Sequence, residues 1–277
     1  MRLNKLCLAI SLVISGTCIA SESLPCVKWN EVKKVGELPG DEINESSGMV
    51  ASGVRDDLLY HINDSGDGPF VYMTNTKGEF VQKTAFQPEK PRDLEDLARG
   101  TFQGKPALFF PDIGDNRETR PRISLYIVAE EDLFKKQTTP LASIDLTYPD
   151  GSHDAEAIAV SHDKVFVVTK KVDWTERRAI SAGVYSVDIS TLENHKGPSR
   201  VMMTKVFELN LPYLLYNYNL WGRIVTGMDV HPDGESFALL TYGAILVVNK
   251  DLGKAPLTNH KGFLVPFLPK EGRGHTH

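Results

Sequence analysis

The amino-acid sequence predicts an all-β protein, a β-propeller of four-stranded antiparallel blades. Three observations support this prediction: a strand pattern that repeats in a fixed order, polar turns between the strands, and no sustained helical periodicity in 277 residues. The repeat is about 50–70 residues long, and units of four short strands at such spacing are typical of propeller blades. A β-sandwich is the structural alternative, but it does not require the same four-strand order to recur.

The third strand of each repeat is the clearest element, because it reads apolar–Tyr–apolar in three copies and carries Leu in place of Tyr in the fourth. These strands are predicted at 71–74, 125–128, 184–187 and 245–248. The second strands are predicted at 58–62, 107–110, 164–168 and 236–240. The first strands begin with small or acidic residues and are predicted at 45–49, 93–97, 154–158 and 225–228. Three fourth strands are predicted, at 80–86, 142–148 and 205–211.

The number of blades depends on how the ring closes. Four repeats are found, and five or more blades stay open as an alternative. Residues 34–38 resemble the fourth-strand segment 205–209 and are candidates to complete the last blade, which would couple the two ends of the chain. The segment 262–268 is the other candidate, either as a further strand or as the start of an additional blade.

The first twenty residues are predicted to be a signal peptide. Arg2 and Lys5 precede a short apolar run at 6–14, and small residues follow at 18–20. Such a run is too short to span a bilayer, and no later stretch approaches the roughly twenty apolar residues that a membrane span needs. We therefore expect a secreted or periplasmic protein. Its predicted parts are a signal peptide at 1–20, an N-terminal segment at 21–43, a propeller at 44–268 and a flexible tail at 269–277.

The charge of the chain narrows the class of partner. The formal net charge is −5 at pH 7, whereas binding to a nucleic-acid backbone needs a basic face. A nucleic acid is therefore not expected as a partner. A mildly acidic protein is compatible with a cation, with a small-molecule substrate, or with a protein or glycan ligand.

Acidic residues open three of the predicted first strands, and the first strand of a blade lines the central channel. Alignment of the repeats places Glu45, Asp93 and Asp154 at one level, and Glu95 and Glu156 two residues further on. Alternate residues of a strand point to the same side, so both levels are expected to face the channel. Converging carboxylates repel one another unless a cation compensates, and calcium takes several oxygen ligands of this kind. The sequence predicts a site for calcium or a similar divalent cation; the alternative is that the acids cap strand ends or bond backbone amides.

A second acidic motif follows two of the second strands. The segments 61–67 and 111–116 agree at an Asp, a Gly and a second Asp. The glycine permits a backbone turn closed to other residues, and the acidic side chains can bond the amides of the turn. The competing interpretation is a loop that presents metal ligands or acid–base groups. Its candidate residues are Asp64, Asp67, Asp112, Asp115 and Asn116.

His153 directly precedes the channel acids Asp154 and Glu156. A histidine at this place can act as a general base or proton shuttle near neutral pH, and these three residues are the candidate catalytic group. A hydrogen-bonded structural histidine is the alternative. The insertion 212–221 is rich in aromatic residues, which is typical of recognition surfaces; packing across the ring between blades is the alternative there.

Three short segments resemble the inner strands of exported propellers of the esterase-like phytase type: 44–49, which reads Asn-Glu-Ser-Ser-Gly-Met, and the acidic segments 93–97 and 154–159. More broadly, the chain is similar to lactonase and phosphotriesterase propellers that hold calcium in the channel. The resemblance covers about residues 40–250. It implies that inner-strand acids bind calcium, which polarises a phosphoryl or ester oxygen. The ligands that it implies in this chain are Glu45, Asp93, Glu95, Asp154 and Glu156.

Two functions of different classes follow from these observations. The first is a metal-dependent hydrolase that acts on a phosphoester, an ester or a lactone. The second is a non-catalytic binding module that presents its loops to a protein or glycan. The chain departs from the resemblance in its short length, its low blade count and the absence of acids at Ile224 and Thr226. These departures bear on catalysis more than on the fold.

Overall fold

Four antiparallel sheets follow one another along the chain in the computed structural model, which describes residues 33–215, 219–248 and 262–266. Each sheet is one blade, and together they form a four-bladed β-propeller. The predicted fold class is confirmed, with four blades in the described part of the chain. The signal peptide (1–20), residues 216–218 of the aromatic insertion and the tail (269–277) lie outside the described residues.

Each blade runs from an inner strand at the channel to an outer strand at the rim. The inner strands are β1 (Ser46–Ala51), β5 (Ala98–Phe102), β10 (Ala155–Ser161) and β17 (Val225–Val230). The second strands are β2 (Leu58–Asn63), β6 (Lys105–Asp112), β11 (Lys164–Thr169) and β18 (Phe237–Thr241). The third strands are β3 (Phe70–Asn75), β7 (Ile123–Ala129), β14 (Ala182–Asp188) and β19 (Ala244–Val248). The outer strands are β4 (Phe80–Phe86), β9 (Ala142–Thr147), β16 (Thr204–Leu209) and β20 (Gly262–Pro266).

Short elements complete the blades. β8 (Gln137–Thr138) pairs in parallel with the outer strand β4, and β15 (Val201–Met202) does the same with β9. Both come from the blade that follows in sequence, so each covers an outer edge that would otherwise stay unpaired. A small hairpin of β12 (Val172–Asp173) and β13 (Arg178–Ala179) lies between β11 and β14. The helical elements in the described part of the chain are two 3₁₀ helices, Glu130–Phe134 and Trp221–Arg223, and two short α-helices, α1 (Ile189–Asn194) and α2 (Leu211–Leu214).

The blades pack face to face through apolar side chains, since neighbours cover both faces of a blade within the ring. Between blades 2 and 3, for example, Phe109 and Ile127 lie in one buried cluster with Ile158 and Val167. Similar clusters join blades 1 and 2 and blades 3 and 4. Each large apolar side chain that is buried in this way contributes about 1.5–3 kcal/mol to stability. This packing explains the long apolar runs in the second and third strands.

The predicted strands agree with the observed ones, with a difference in blade 2. Its inner strand starts at Ala98, so the acidic segment 93–97 is an extended lead-in rather than the strand itself. Leu94 still forms an isolated antiparallel bridge with Asp112. Of the two candidates for the last outer strand, the structure uses the segment that begins at Gly262, and residues 33–39 contain no strand. None of the helices in the described ranges has the length and apolar character of a membrane span.

Candidate functional site

Bulges in the inner strands explain why polar side chains point into the channel. Pairing with the second strand shifts by one residue near the start of β1, β10 and β17. A bulge leaves one residue unpaired and redirects its side chain. The unpaired residues are Ser47, Glu156 and Thr226, and Glu95 holds the equivalent place after the bridge of Leu94. The register therefore agrees with the predicted alignment of these four positions.

Asp96 lies at the channel axis, one residue further along, with 5% of its surface exposed. Its Oδ2 accepts the backbone N–H groups of Ile158 in blade 3 at 3.0 Å and of Met228 in blade 4 at 3.1 Å. Its Oδ1 accepts the N–H group of Leu97 at 2.8 Å. Gly48 of blade 1 packs so closely that a Cβ there would lie 2.9 Å from the Asp96 Cα. Asp96 therefore joins inner segments from all four blades.

Three carboxylates meet at the end of the channel where the inner strands begin, an end that we call the acidic mouth. Ligand oxygens of Asp64, Asp93 and Glu95 all lie within 4.8 Å of one another. Glu95 is 6% exposed, and among the described residues its carboxylate has neither a hydrogen-bond donor nor an ion pair. Gly114 makes room for this arrangement, because a Cβ there would lie 2.3 Å from both Asp93 Oδ2 and Glu95 Oε1. A buried carboxylate without a partner is costly, and like charges nearby add to the cost.

Burial and mutual repulsion raise the pKa values of these carboxyl groups. Burial, followed by the charges of Glu156, Asp93 and Asp64, raises the pKa of Glu95 to about 10. Burial, with the charges of Asp64 and Asp154 adding to it, raises the pKa of Asp93 to about 6. Ionisation of Glu95 is therefore disfavoured unless a cation binds beside it.

The other two predicted channel acids have an internal cation. Lys170 pairs with Glu156 and lies 3.2 Å from Asp154 Oδ2, and its side chain is 12% exposed. Asp154 Oδ1 also accepts the backbone N–H group of Asp115 at 2.8 Å. Burial lowers the pKa of Lys170, but Glu156 and Asp154 outweigh burial and hold it above its usual value. Burial raises the pKa of Glu156 against the opposing charge of Lys170. Asp154 and Glu156 thus form a charge-paired wall beside the three converging carboxylates.

The loop that follows β6 is held by hydrogen bonds within the protein. Asp112 accepts the backbone N–H groups of Arg92 and Asp93 at 3.1 Å each, and it pairs with Arg120 Nη1 at 2.8 Å. Asp115 Oδ2 accepts the backbone N–H group of Arg120 at 2.6 Å. These contacts match the structural interpretation of the motif, in which acidic side chains bond turn amides. The role of Asp112 and Asp115 as metal ligands stays a prediction.

The remaining predicted residues are Glu45, Asn116 and His153. Glu45 and Asn116 are exposed. His153 Nε2 lies 2.8 Å from Asp150 Oδ1 and 3.0 Å from the hydroxyl oxygen of Tyr185. That hydroxyl also donates to the Asp150 carboxylate at 3.0 Å. These partners fit the hydrogen-bonded structural alternative for His153, and its catalytic role stays a prediction.

Sequence reasoning missed Lys170, although a positional signal could have found it. Lys170 directly follows β11, the second strand of blade 3, just as Asp64 follows β2 and Tyr242 follows β18. In these three blades the last residue of the second strand pairs with the first residue of the inner strand. The residue that comes next therefore lies at the acidic mouth. An alignment on the ends of the second strands would have placed an acid, a lysine and a tyrosine there.

Three exposed aromatic side chains form a continuous patch that we call the aromatic cluster. Trp174, Trp221 and Tyr242 are 58%, 50% and 58% exposed. The ring centroids of Trp174 and Trp221 are 6.1 Å apart, and those of Trp221 and Tyr242 are 5.8 Å apart. Burial raises the pKa of the Tyr242 hydroxyl, and the charge of Glu156 raises it further. The aromatic cluster therefore adjoins the channel acids.

Cavities border both ends of the channel. One of about 480 Å³ lies where the inner strands end, and Arg99, Ser161 and Asp229 are among its lining residues. Two smaller cavities border the acidic mouth, one of about 370 Å³ next to Asp64 and one of about 200 Å³ next to Trp174. The volume of a cavity does not by itself identify a functional site. The converging carboxylates lie at the acidic mouth, and the candidate functional site is therefore placed there.

No family model and no curated protein matches the chain. Among solved structures, an auxiliary nutrient binding protein from Bacteroides thetaiotaomicron is 13% identical over 79% of this chain and 42% of its own, with a TM-score of 0.45. Hydrazine synthase from Kuenenia stuttgartiensis is 12% identical over 74% of this chain and 53% of its own, with a TM-score of 0.41. Apo AztD from Citrobacter koseri is 14% identical over 82% of this chain and 51% of its own, with a TM-score of 0.33. The chain spans about half the length of these structures, and likeness at this level assigns neither a family nor a function.

Proposed function

We propose that this protein binds a divalent cation, calcium or a similar ion, through Asp64, Asp93 and Glu95 at the acidic mouth. The observation that carries the proposal is the state of Glu95, which is 6% exposed yet has no donor or ion pair among the described residues. The three carboxyl groups converge within 4.8 Å, so ionisation of all three would crowd like charges together. Coordination of a divalent cation would replace this repulsion with attraction.

The donor set favours a hard cation. All three side chains offer carboxylate oxygens. Calcium takes several such ligands in a flexible shell, whereas zinc sites are built mainly from His nitrogen and Cys sulfur. Asp64 is the most exposed of the three and Glu95 is the most buried. The site is therefore open on the side of Asp64, where a water molecule or a substrate oxygen has access.

We further propose that the acidic mouth hydrolyses a phosphoester, an ester or a lactone. A cation bound there would polarise a substrate oxygen and lower the pKa of a water molecule. Lys170 lies beside Asp154 and Glu156, where its ammonium group can stabilise negative charge that develops on the substrate. Glu156 lies beside this ammonium group, and burial raises its pKa. We propose that this carboxyl group moves the proton.

Calorimetric titration of calcium into chelator-stripped mature protein tests the cation site. We expect saturable binding near one ion per chain, and we expect Glu95→Gln to abolish it. Glu176→Gln is the matched control, because Glu176 is an exposed glutamate outside the acidic mouth. Magnesium and zinc are titrated in parallel. Failure of both calcium and magnesium to bind would reject the proposal, and zinc binding alone would reject the hard-cation assignment.

Turnover of p-nitrophenyl phosphate, p-nitrophenyl acetate and dihydrocoumarin tests the hydrolase proposal. We expect activity on one of these classes that a chelator removes and that Glu95→Gln abolishes. Loss of a group that moves a proton typically costs about 10²–10⁴-fold in rate, and we expect a decrease of this size in Glu156→Gln. Calcium binding without turnover of any of the three would reject hydrolysis and leave the cation site in place.

The second candidate function is a non-catalytic binding module, and the aromatic cluster is the observation that favours it. Trp174, Trp221 and Tyr242 are each at least half exposed, and the ring of Trp221 lies between the other two. Large aromatic side chains dominate the energetics of recognition surfaces, and contiguous exposed patches mark binding sites. This function requires no chemistry at the acidic mouth.

Export is proposed from residues 1–20, which carry the pattern of a signal peptide. N-terminal sequencing of protein recovered from the periplasm or the medium tests it. We expect a mature chain that starts at Ser21, and recovery of an intact N-terminus from the cytoplasm alone would reject export.

A further inference from the structure

We propose that the aromatic cluster and the cavity beside it bind a neutral oligosaccharide. The inference rests on the second candidate function and needs no cation at the acidic mouth. Trp174, Trp221 and Tyr242 would pack against the C–H faces of sugar rings. The polar groups that line the cavity would bond the sugar hydroxyls.

The aromatic cluster is assembled from three separate turns. Trp174 lies in the turn of the β12–β13 hairpin, Trp221 begins a 3₁₀ helix ahead of β17, and Tyr242 lies in the β18–β19 turn. Elsewhere, Phe80 and Phe134 are exposed to 42% and 38%, and they form no ring contact among the described residues. Exposed aromatic residues that stand singly are ordinary, whereas a patch contributed by three turns indicates a recognition surface.

The orientation of the rings leaves aromatic faces free. The planes of Trp174 and Trp221 are inclined by 56°, and those of Trp221 and Tyr242 by 87°. A T-shaped pair uses the edge of one ring, whereas a parallel stack would cover the faces of both. Free faces at this exposure suit the flat apolar face of a sugar ring.

The cavity of about 200 Å³ next to Trp174 decides the class of ligand. Its lining includes the amide of Asn116 and charged groups of both signs: Arg117, Lys170, Lys171, Glu118 and Asp154. Lys170 and Asp154 are paired with each other and form the side toward the acidic mouth. An organic cation would meet the three basic groups, and an anion would meet the two carboxylates. A neutral molecule rich in hydroxyl groups finds both donors and acceptors here.

The size of the cavity fits the same ligand. At about 200 Å³ it is smaller than the roughly 300–1,000 Å³ that are typical for drug-sized ligands. It can therefore take a single ring, while the aromatic cluster extends the contact to the next ring of the same chain. An oligosaccharide meets this description better than an isolated monosaccharide.

An array of neutral glycans, probed with the labelled mature protein, tests the proposal, and calorimetric titration with the best-bound oligosaccharide follows. We expect saturable binding that is equal in calcium and in chelator. We expect affinity to fall at least tenfold in Trp174→Ala and in Trp221→Ala. Trp174→Phe, which keeps a ring, is expected to retain most of the affinity. Phe134→Ala is the matched control, and we expect it to bind like the unaltered protein.

The outcomes separate this proposal from the others. No binding across the array overturns it, and so does binding that is unchanged in both Trp→Ala variants. Binding of tetramethylammonium chloride in place of any glycan overturns it in favour of an organic cation. Thermal melts check the fold, and if Trp221→Ala melts early, the comparison of Trp174→Ala with Trp174→Phe decides. Loss of calcium binding in Glu95→Gln with glycan binding retained leaves this proposal standing, so that it and the cation site fail independently.

Discussion

Glu95 and Asp96 are adjacent in the chain and almost equally buried, at 6% and 5% exposure, yet they face two levels of the channel with opposite surroundings. At the axis, Asp96 accepts backbone N–H groups from Leu97, Ile158 and Met228. At the acidic mouth, Glu95 accepts none among the described residues and has two further carboxylates beside it. Burial alone therefore does not distinguish these two acids. The supply of hydrogen-bond donors does.

The pKa values of the two groups express the same difference. Burial raises the pKa of Asp96 to about 7, with the three amide donors acting in the opposite direction. Burial raises the pKa of Glu95 to about 10, with the charges of its acidic neighbours acting in the same direction. Asp96 stabilises the junction of the blades, whereas burial of Glu95 at the acidic mouth destabilises the folded state.

The largest expected effect on stability comes from substitution of Asp96, the acid at the channel axis. Asp96→Ala leaves three N–H groups without their acceptor, at about 1–3 kcal/mol each, so we expect a loss of about 3–9 kcal/mol in the free energy of unfolding. Asp96→Asn keeps one acceptor oxygen and should lose about half as much. Urea unfolding at pH 7 measures both. Asp56→Ala, at an exposed aspartate, is the control, and an Asp96→Ala variant as stable as this control would refute the structural role of Asp96.

Removal of the internal cation at the acidic mouth comes next. Lys170→Met leaves Asp154 and Glu156 buried without a counter-charge, and breaking a buried pair typically costs about 3–5 kcal/mol. Lys171→Met is the matched control, because Lys171 is the adjacent lysine and is exposed. Urea unfolding compares the two variants in chelator and in calcium. We expect calcium to recover part of the loss in Lys170→Met, and equal stabilities for the two variants would contradict the pairing.

A buried base in blade 1 sharpens the comparison, because its burial lowers its pKa where burial raises the pKa of the acids. His61 is fully buried, its Nε2 lies 2.9 Å from Thr74 Oγ1, and its Nδ1 has no partner within the described structure. Burial lowers the pKa of His61 to about 4, whereas an unfolded histidine titrates near 6.5. Its contribution is thus fully present above about pH 6.5 and is lost as the pH falls toward 4, by about 3 kcal/mol in all.

His61→Gln isolates this contribution, because the amide can still bond Thr74 but does not titrate. We expect the stability advantage of the unaltered protein over His61→Gln to shrink by about 2–3 kcal/mol between pH 7 and pH 4.5. Urea unfolding at the two pH values measures it, and the carboxylates that titrate in the same range cancel in the difference. An advantage that stays constant over this range would show that His61 is not held neutral by burial.

The fold could be predicted from the sequence because the repeat is local. The fourth-strand prediction at 80–86 coincides with β4, and the third-strand predictions fall within β3, β7, β14 and β19. Strand alternation and turn residues act over a few positions, so they are visible without the tertiary structure. The start of β5 was missed because the acidic segment ahead of it has the same pattern as the inner strands of the other blades.

The acids of the site could be predicted, but their partners could not. Charged residues stand out in an apolar repeat, whereas the amides that satisfy Asp96 lie 62 and 132 residues away in the chain. Lys170, which directly follows β11, pairs with Asp154 and Glu156 and leaves Glu95 without an ion pair among the described residues. His153 directly precedes Asp154 in the chain, yet neighbouring residues of an extended segment point in opposite directions. It therefore bonds Asp150 and Tyr185 instead of the channel acids.

The smallest expected effect on stability, that of Glu95→Gln, tests whether Glu95 differs in role from Asp96. Burial and the charges of its acidic neighbours raise the pKa of Glu95 and so favour its protonated form, which glutamine closely matches in shape. We expect Glu95→Gln to change the stability of the chelated protein by less than about 1 kcal/mol, unlike Asp96→Ala. A ligand at one hundred times its Kd stabilises the folded state by about 2.7 kcal/mol. At a calcium concentration of one hundred times the Kd, the unaltered protein should therefore gain this amount of stability, and Glu95→Gln should gain none. Urea unfolding in chelator and in calcium measures both numbers. If Glu95→Gln lost several kcal/mol in chelator, Glu95 would be a structural acid like its neighbour, and the acidic mouth would have no claim to a cation.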